Sequence, residues 1–160
     1  MNSDLQILDD ASTWQQGQVV EVTIDNLSDR GDGVGRYQGR AVFVPDTVTG
    51  DRVQIRLIKV KRDYAHGKVV ELLEPSPHRV RPSCIVADKC GGCQWQHIDY
   101  FYQLAAKQSQ VREALARIGG LPELDILPTL GTTALGYRNK STYPLKRSTT
   151  GQVQAGYYQK

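Results

Sequence analysis

Apolar and polar residues alternate through much of residues 17–74. The alternation is regular at residues 20–24 and 53–57, where every second side chain is apolar, as a strand with one buried face requires. Residues 37–44 are predicted to form two strand segments separated at Gly39, and a last strand is predicted at residues 64–73. Five short strands in so short a segment predict a small closed barrel of the OB or SH3 type, because closure removes exposed strand edges.

A glycine-rich segment, Gly-Asp-Gly-Val-Gly at residues 31–35, superficially resembles a phosphate-binding loop. A phosphate loop leads into a helix whose first amides bind the anion, whereas here the pattern continues as strand. The glycines are therefore predicted to form a tight connection between strands, with positive φ angles.

One long helix is predicted at residues 99–118, after a proline-rich linker that ends the barrel. Asp99 is placed to cap its first turn, and Gly119 and Gly120 end it. Apolar residues recur at steps of three to four and predict the buried face of this helix: Leu104, Val111, Leu115 and Ile118.

The remaining sequence predicts a β-hairpin at residues 137–159, with its turn at residues 148–151 and with Tyr157 and Tyr158 on the returning strand. The predicted fold class is α+β. The predicted division of the chain is a flexible tail at 1–14, a β-barrel at 15–76, a cysteine loop at 77–98, and a helix plus hairpin at 99–160.

Composition sets broad limits on location and partners. The chain has 160 residues, 39% hydrophobic and 23% charged, which are ordinary values for a globular protein. No apolar run is long enough to span a bilayer and the first residues do not form a secretory signal, so we expect a cytoplasmic protein with no membrane partner.

The formal net charge is only +3, but five basic and no acidic residues lie between Tyr137 and Lys160. Such a local excess of positive charge favours a polyanionic partner, and the alternative is an ordinary solvated face.

All three cysteines lie within ten residues, at the spacing C-x5-C-x2-C formed by Cys84, Cys90 and Cys93. Thiols this close in a reducing compartment favour a metal or an iron–sulfur cluster over disulfides. Inert buried cysteines and a redox C-x-x-C pair are the alternatives, and the redox pair lacks the βαβ context that it usually has. With His97 as fourth ligand the set would suit zinc, whereas a cluster usually takes four cysteines, so spacing alone leaves the two open. His97 also suits a supporting role beside the ligands.

These motifs together resemble the RNA (uracil-5-)-methyltransferases, which methylate C5 of uridine in 23S ribosomal or transfer RNA. The cysteine segment followed by Gln96-His97 resembles their iron–sulfur segment. Residues 27–36 with Val42-Phe43-Val44-Pro45 and Gly50-Asp51-Arg52-Val53 are similar to the TRAM domain, a small RNA-binding barrel, and residues 136–140 resemble the start of their central domain.

The resemblance implies that Cys84, Cys90 and Cys93 are three of four ligands of a 4Fe–4S cluster, with the fourth cysteine downstream of the hairpin. It also implies that the S-adenosylmethionine domain and the catalytic residues lie outside these residues, so no catalytic residue is expected here.

The predicted partner is RNA, bound through phosphates by basic residues and by stacking on aromatic faces. The candidate RNA-binding residues are Arg36, Arg40, Lys59, Lys61, Arg62, Arg138 and Lys140. The alternatives are a free-standing RNA-binding module with a structural zinc or iron–sulfur site, and a zinc-stabilised protein-interaction domain.

Overall fold

A computed structural model describes residues 14–160 and contains a closed five-stranded barrel, one helix and a small hairpin. The barrel strands are β1 (Val19–Leu27), β2 (Gly33–Tyr37), β3 (Arg40–Val44), β4 (Arg52–Val60) and β5 (Tyr64–Glu74). Around the barrel they follow the order β1-β2-β3-β5-β4, and β4 pairs again with β1. Among these five strands, only β3 and β5 pair in parallel. This OB-like order confirms the predicted barrel and the α+β class.

The barrel core is built from the inward side chains that the alternation predicts. Val20, Val22 and Ile24 on β1 are buried against Val53 and Ile55 on β4. Burying each such side chain contributes about 1.5–3 kcal/mol of hydrophobic free energy.

Of the predicted tail at residues 1–14, positions 1–13 lie outside the described residues. Trp14, the last residue of that segment, belongs to the barrel core. Its ring centroid lies 5.8 Å from that of Tyr37, and its Nε1 donates a hydrogen bond to the side chain of Gln38 at 3.1 Å. Trp14 therefore belongs to the packed barrel.

The glycine-rich segment is only in part the predicted connection between strands, because β2 begins at Gly33 and, of its three glycines, only Gly31 has a positive φ. Gly31 has a φ of 93° and turns the chain, with its amide bonded to the carbonyl oxygen of Ser28 at 3.0 Å. Gly35 lies within β2 instead, where an added Cβ would stand 2.5 Å from the backbone oxygen of Thr23. A side chain there would force the paired strands apart.

Helix α1 (Tyr100–Arg117) has the predicted ends. The carboxylate of Asp99 accepts a hydrogen bond from the Tyr102 amide at 3.1 Å and caps the first turn. Gly120, with a φ of 67°, follows the last turn.

The predicted buried face of α1 is only partly right. Leu104 and Leu115 are half-buried, but Val111 and Ile118 are 50% and 89% exposed, and no residue of this helix is fully buried. Tyr102 and Ala106 instead pack on the barrel rim against a small cluster of Leu27, Val48 and Ile98. This apolar contact is small, and polar contacts complete the interface between helix and barrel. One of them is the hydrogen bond that the Gln110 side chain donates to the backbone oxygen of Ser28 at 2.9 Å.

The hairpin is formed by β6 (Leu145–Arg147) and β7 (Val153–Ala155) around the predicted turn. The Gly151 amide donates to the Ser148 oxygen at 3.0 Å, which closes that turn. The strands are shorter than predicted, and Tyr157 and Tyr158 lie beyond β7 because the chain there pairs with the cysteine segment instead. Among the described residues, no helix has the length and apolar character needed to cross a membrane.

Candidate functional site

Two turns lie side by side at one end of the barrel and bring basic residues together. The β2–β3 turn and the β4–β5 turn become neighbours because β3 and β5 pair in parallel from Ala41 and Tyr64 onward. Arg40, the first residue of β3 after the first turn, donates to the backbone oxygen of Arg62 in the second turn at 3.4 Å. Five of the candidate RNA-binding residues lie on these turns and the adjoining strand ends, here called the basic end: Arg36, Arg40, Lys59, Lys61 and Arg62.

The cations of the basic end differ in how firmly they are held. The Arg36 guanidinium donates to the Gly39 oxygen at 3.1 Å and folds over its own turn. The Arg40 guanidinium lies 4.2 Å from the centroid of the Trp14 ring, a cation–π distance that fixes its direction. Lys59, Lys61 and Arg62 are exposed. Fixed arginines beside extended lysines form a positive surface suited to a chain of phosphates.

The other two candidate RNA-binding residues, Arg138 and Lys140, lie outside the barrel in an irregular segment and are exposed. Arg138 donates to the Tyr137 hydroxyl at 3.4 Å. That hydrogen bond raises the pKa of Arg138, and the charges of Tyr137, Tyr157 and Cys93 act in the same direction. Arg138 is therefore within electrostatic reach of Cys93 and does not belong to the basic end.

The cysteine segment is fastened to the barrel by residues on both of its sides. After the cysteines, the Trp95 indole donates to the Gly31 oxygen at 3.1 Å, and Ile98 is buried against Leu27 and Val48. Before them, the backbone of Arg79 forms a bridge with that of Ile98. The segment between these anchors is thus held as a loop with fixed ends.

Asp51 joins the linker that precedes the cysteines to the barrel. Its buried carboxylate accepts hydrogen bonds from the amides of Val48 at 2.7 Å and Ser76 at 2.8 Å, and it forms a two-point ion pair with Arg79. Burial alone would raise the pKa of Asp51, but the bonds from Arg79, Ser76 and Val48 outweigh it and hold that pKa below its usual value. The carboxylate is charged at neutral pH and joins the linker to the barrel.

His97 is buried, with its Nε2 3.3 Å from the backbone oxygen of Thr47. Burial lowers the pKa of His97, with smaller opposing effects from the Thr47 bond and from Asp46. The neutral ring donates its Nε2 proton to the Thr47 carbonyl, because a carbonyl can only accept. The ring also lines a cavity of about 240 Å³ together with Cys93, Asp46 and Lys160. His97 thus links the barrel to the cysteine segment.

The three thiols are free and accessible. Cys84 and Cys93 are exposed, and Cys90 is half-buried. The Gly92 amide lies 3.4 Å from the Cys90 sulfur and donates to it, a contact that stabilises a thiolate. This donor set has the chemistry of a soft metal or cluster site. Within residues 14–160, however, no three Cys, His, Asp or Glu side chains converge as a ready ligand group.

The last residues of the chain run antiparallel to the cysteine segment. The Gly91 amide donates to the Tyr158 oxygen at 2.8 Å, and the Lys160 amide donates to the Lys89 oxygen at 3.0 Å. Between them, Cys90 and Gln159 form an isolated bridge. The Lys160 ammonium completes this pairing with an ion pair to Asp46 on the barrel.

Comparison with known proteins shows what this chain is similar to. The TRAM domain family matches residues 13–70. An RNA methyltransferase of Nostoc sp. is 69% identical over 150 residues, which are 93% of this chain and 33% of that protein. One of Synechocystis sp. is 62% identical over 92% of this chain and 32% of its own length. Most of the chain is thus similar to one part of these RNA methyltransferases, and residues 13–70 match the TRAM domain.

The chain spans about one third of the length of these curated relatives. Among solved structures, the Pyrococcus abyssi tRNA (uracil-54, C5)-methyltransferase in complex with S-adenosyl-L-homocysteine is 31% identical. The match covers 60% of this chain and 21% of that one, with a TM-score of 0.42. That score is too low to support a comparison of folds.

Sequence reasoning missed the anchoring of the TRAM domain to the cysteine segment. Asp51 follows Thr49 and Gly50 and has the composition of an ordinary turn, and Arg79 lies in a linker that looks exposed. Their pairing across 28 positions has no local signal. The one sequence signal for a structural role of Asp51 was its position directly before a strand with regular alternation.

Proposed function

We propose that this chain is the RNA-binding N-terminal part of an S-adenosylmethionine-dependent RNA (uracil-5-)-methyltransferase that acts on ribosomal or transfer RNA in the cytoplasm. One observation carries the proposal: five candidate RNA-binding residues share the basic end of a TRAM barrel. In this role the barrel grips the RNA, and a catalytic domain outside these residues transfers the methyl group.

The chemistry of the basic end supports a phosphate-based grip. Its lysines extend into solvent, and its arginines are oriented by the Gly39 oxygen and the Trp14 ring. Phosphate contacts release counterions and supply affinity without sequence selection. Choice of the target uridine is therefore assigned to the rest of the enzyme.

We further propose that Cys84, Cys90 and Cys93 hold three corners of a 4Fe–4S cluster. Three free thiols around a Gly-Gly pair, with an amide hydrogen bond donated to one sulfur, suit thiolate ligation. A bound cluster would cross-link the loop and fix its shape. We expect the three thiols to come together only when the cluster binds, because many metal sites form only in the presence of their metal.

The pairing of the last residues with the cysteine segment supports a fourth ligand from downstream. A cysteine that follows the hairpin in sequence reaches the cluster only if the chain returns to the loop. Residues 157–160 make that return beside Cys90. His97 donates its Nε2 proton to Thr47, so Nδ1 is the one ring nitrogen it could offer as a ligand; otherwise the ring supports the loop.

Removing charge from the basic end is expected to weaken RNA binding. A Lys59→Gln, Lys61→Gln double variant should bind RNA more weakly. For single-stranded RNA, the slope of log affinity against log salt should become shallower by about 0.7 for each phosphate that is no longer neutralised. Fluorescence anisotropy with labelled RNA at several salt concentrations measures both.

The matched control is Lys146→Gln, Arg147→Gln on β6, which removes the same net charge from the hairpin. It should leave the salt slope nearly unchanged. Equal weakening in both double variants would mean that RNA responds to net charge alone and that the basic end is not the binding surface.

A further inference from the structure

Three aromatic rings that the proposed function does not use meet on the outer surface of the barrel. Phe43 on β3 and His66 on β5 are register partners of the parallel pair, and Tyr64 precedes His66 on the same face of β5. Their ring centroids lie 5.6 Å apart for Phe43 and His66, 5.9 Å for Phe43 and Tyr64, and 5.6 Å for Tyr64 and His66. Each ring therefore contacts the other two.

The three rings form a corner. The planes of Phe43 and His66 are inclined by only 33°, so these rings make a shallow shelf. Tyr64 stands at 86° and 85° to them, as a wall beside the shelf. The shelf rings are half-buried, whereas Tyr64 is 37% exposed. We call this group the aromatic corner.

Cross-strand packing accounts for only part of the aromatic corner. A pair of rings in register stabilises neighbouring strands, which explains the half-buried Phe43 and His66. It does not require the third ring, because Tyr64 pairs in register with the small Ala41 and leaves much of its surface in water. An aromatic face that solvent can reach offers a nucleic-acid base a surface to stack on.

Charge around the aromatic corner has one prevailing sign. Lys59 is the register partner of His66 on β4, and Lys68 follows His66 on the outer face of β5. Lys61 and Arg62 precede Tyr64 in the turn, where Asp63 is the one acidic neighbour in sequence. The outward side chains of β1 include Glu21 and Asp25 by contrast. The corner thus lies on the basic side of the barrel.

We propose that the aromatic corner stacks an unpaired base of single-stranded RNA. Aromatic faces bind bases by stacking, which needs a base free of its duplex. The adjoining lysines are positioned to contact the phosphates on either side of that base. This inference rests on the proposed RNA-binding function and narrows its substrate from RNA in general to an unpaired segment. It also assigns roles to Phe43, Tyr64 and His66.

The test compares two probes and three variants of the full chain. The probes are a labelled oligouridylate and an abasic RNA of the same length, which keeps the phosphates and lacks the bases. The variants are Tyr64→Ala, Tyr64→Phe, and the control Val19→Ala, which trims an apolar side chain 44% exposed on β1. Thermal unfolding checks each variant, and Tyr64→Leu replaces Tyr64→Ala if alanine lowers the melting temperature.

Wild type is expected to bind oligouridylate more tightly than abasic RNA. Tyr64→Ala should lose roughly tenfold in affinity for oligouridylate and almost nothing for abasic RNA, while Tyr64→Phe and Val19→Ala keep the preference. Equal, salt-dependent binding of both probes by wild type would overturn the stacking site and leave the phosphate grip standing. Failure of wild type to bind either probe would overturn the proposed function and this inference together.

Discussion

Asp51→Ala is expected to destabilise the chain by about 3–5 kcal/mol, the usual cost of leaving one charge of a buried ion pair without its partner. The substitution removes the acceptor for the Val48 and Ser76 amides as well as for Arg79. Those donors lie in the β3–β4 connection and in the linker, so one change loosens both. Urea or thermal unfolding followed by circular dichroism measures the loss of stability.

The control for this prediction is Glu74→Ala. Glu74 also pairs with an arginine, Arg52, at 2.7 Å, but its side chain is 66% exposed, and exposed pairs contribute about 0–1 kcal/mol. A destabilisation at Asp51 no larger than that at Glu74 would show that the linker is not anchored through this carboxylate.

Cys90→Ser is expected to abolish cluster assembly. Cys90 is half-buried, lies between the other two proposed ligands in sequence and accepts a hydrogen bond from the Gly92 amide, so its removal leaves two exposed thiols. Three ligands can hold a cluster when an added thiol fills the fourth position, whereas two cannot enclose it. Anaerobic reconstitution with iron, sulfide and dithiothreitol, followed by assay of iron and acid-labile sulfide, measures assembly.

A change in the same loop serves as the control for cluster assembly. Ile85 is 97% exposed and offers no ligand atom, so Ile85→Ala should assemble as wild type does. Iron and sulfide uptake by Cys90→Ser equal to that of wild type would rule out ligation by these cysteines. Uptake of zinc without sulfide by wild type would instead favour a zinc site.

Local rules predicted the elements of this fold well. Period-two alternation located the strands of the barrel, and the Asp99 cap with the Gly119-Gly120 stop bounded α1 to within a residue or so. The same local rules did not predict which face of α1 contacts the barrel. The helix meets the barrel through Tyr102 and Ala106, and that choice depends on the shape of the barrel rim, which no helical periodicity encodes.

The candidate site was predictable in its residue types but not in its grouping. The spacing of the three cysteines alone was enough to predict a metal or cluster site. The parallel pairing of β3 with β5 is what gathers Arg40 and Arg62, and it also sets Phe43 beside His66. Contacts between residues so distant in sequence depend on strand order, so they emerge only once the barrel is closed.

The most direct test of the central claim, that this TRAM barrel grips RNA through its phosphates, is a titration of the chain with single-stranded RNA at two salt concentrations. The account predicts that affinity falls steeply as salt rises, with a slope of about −0.7 for each phosphate bound. Affinity that stays constant between the two concentrations, or no binding at the lower one, would contradict it.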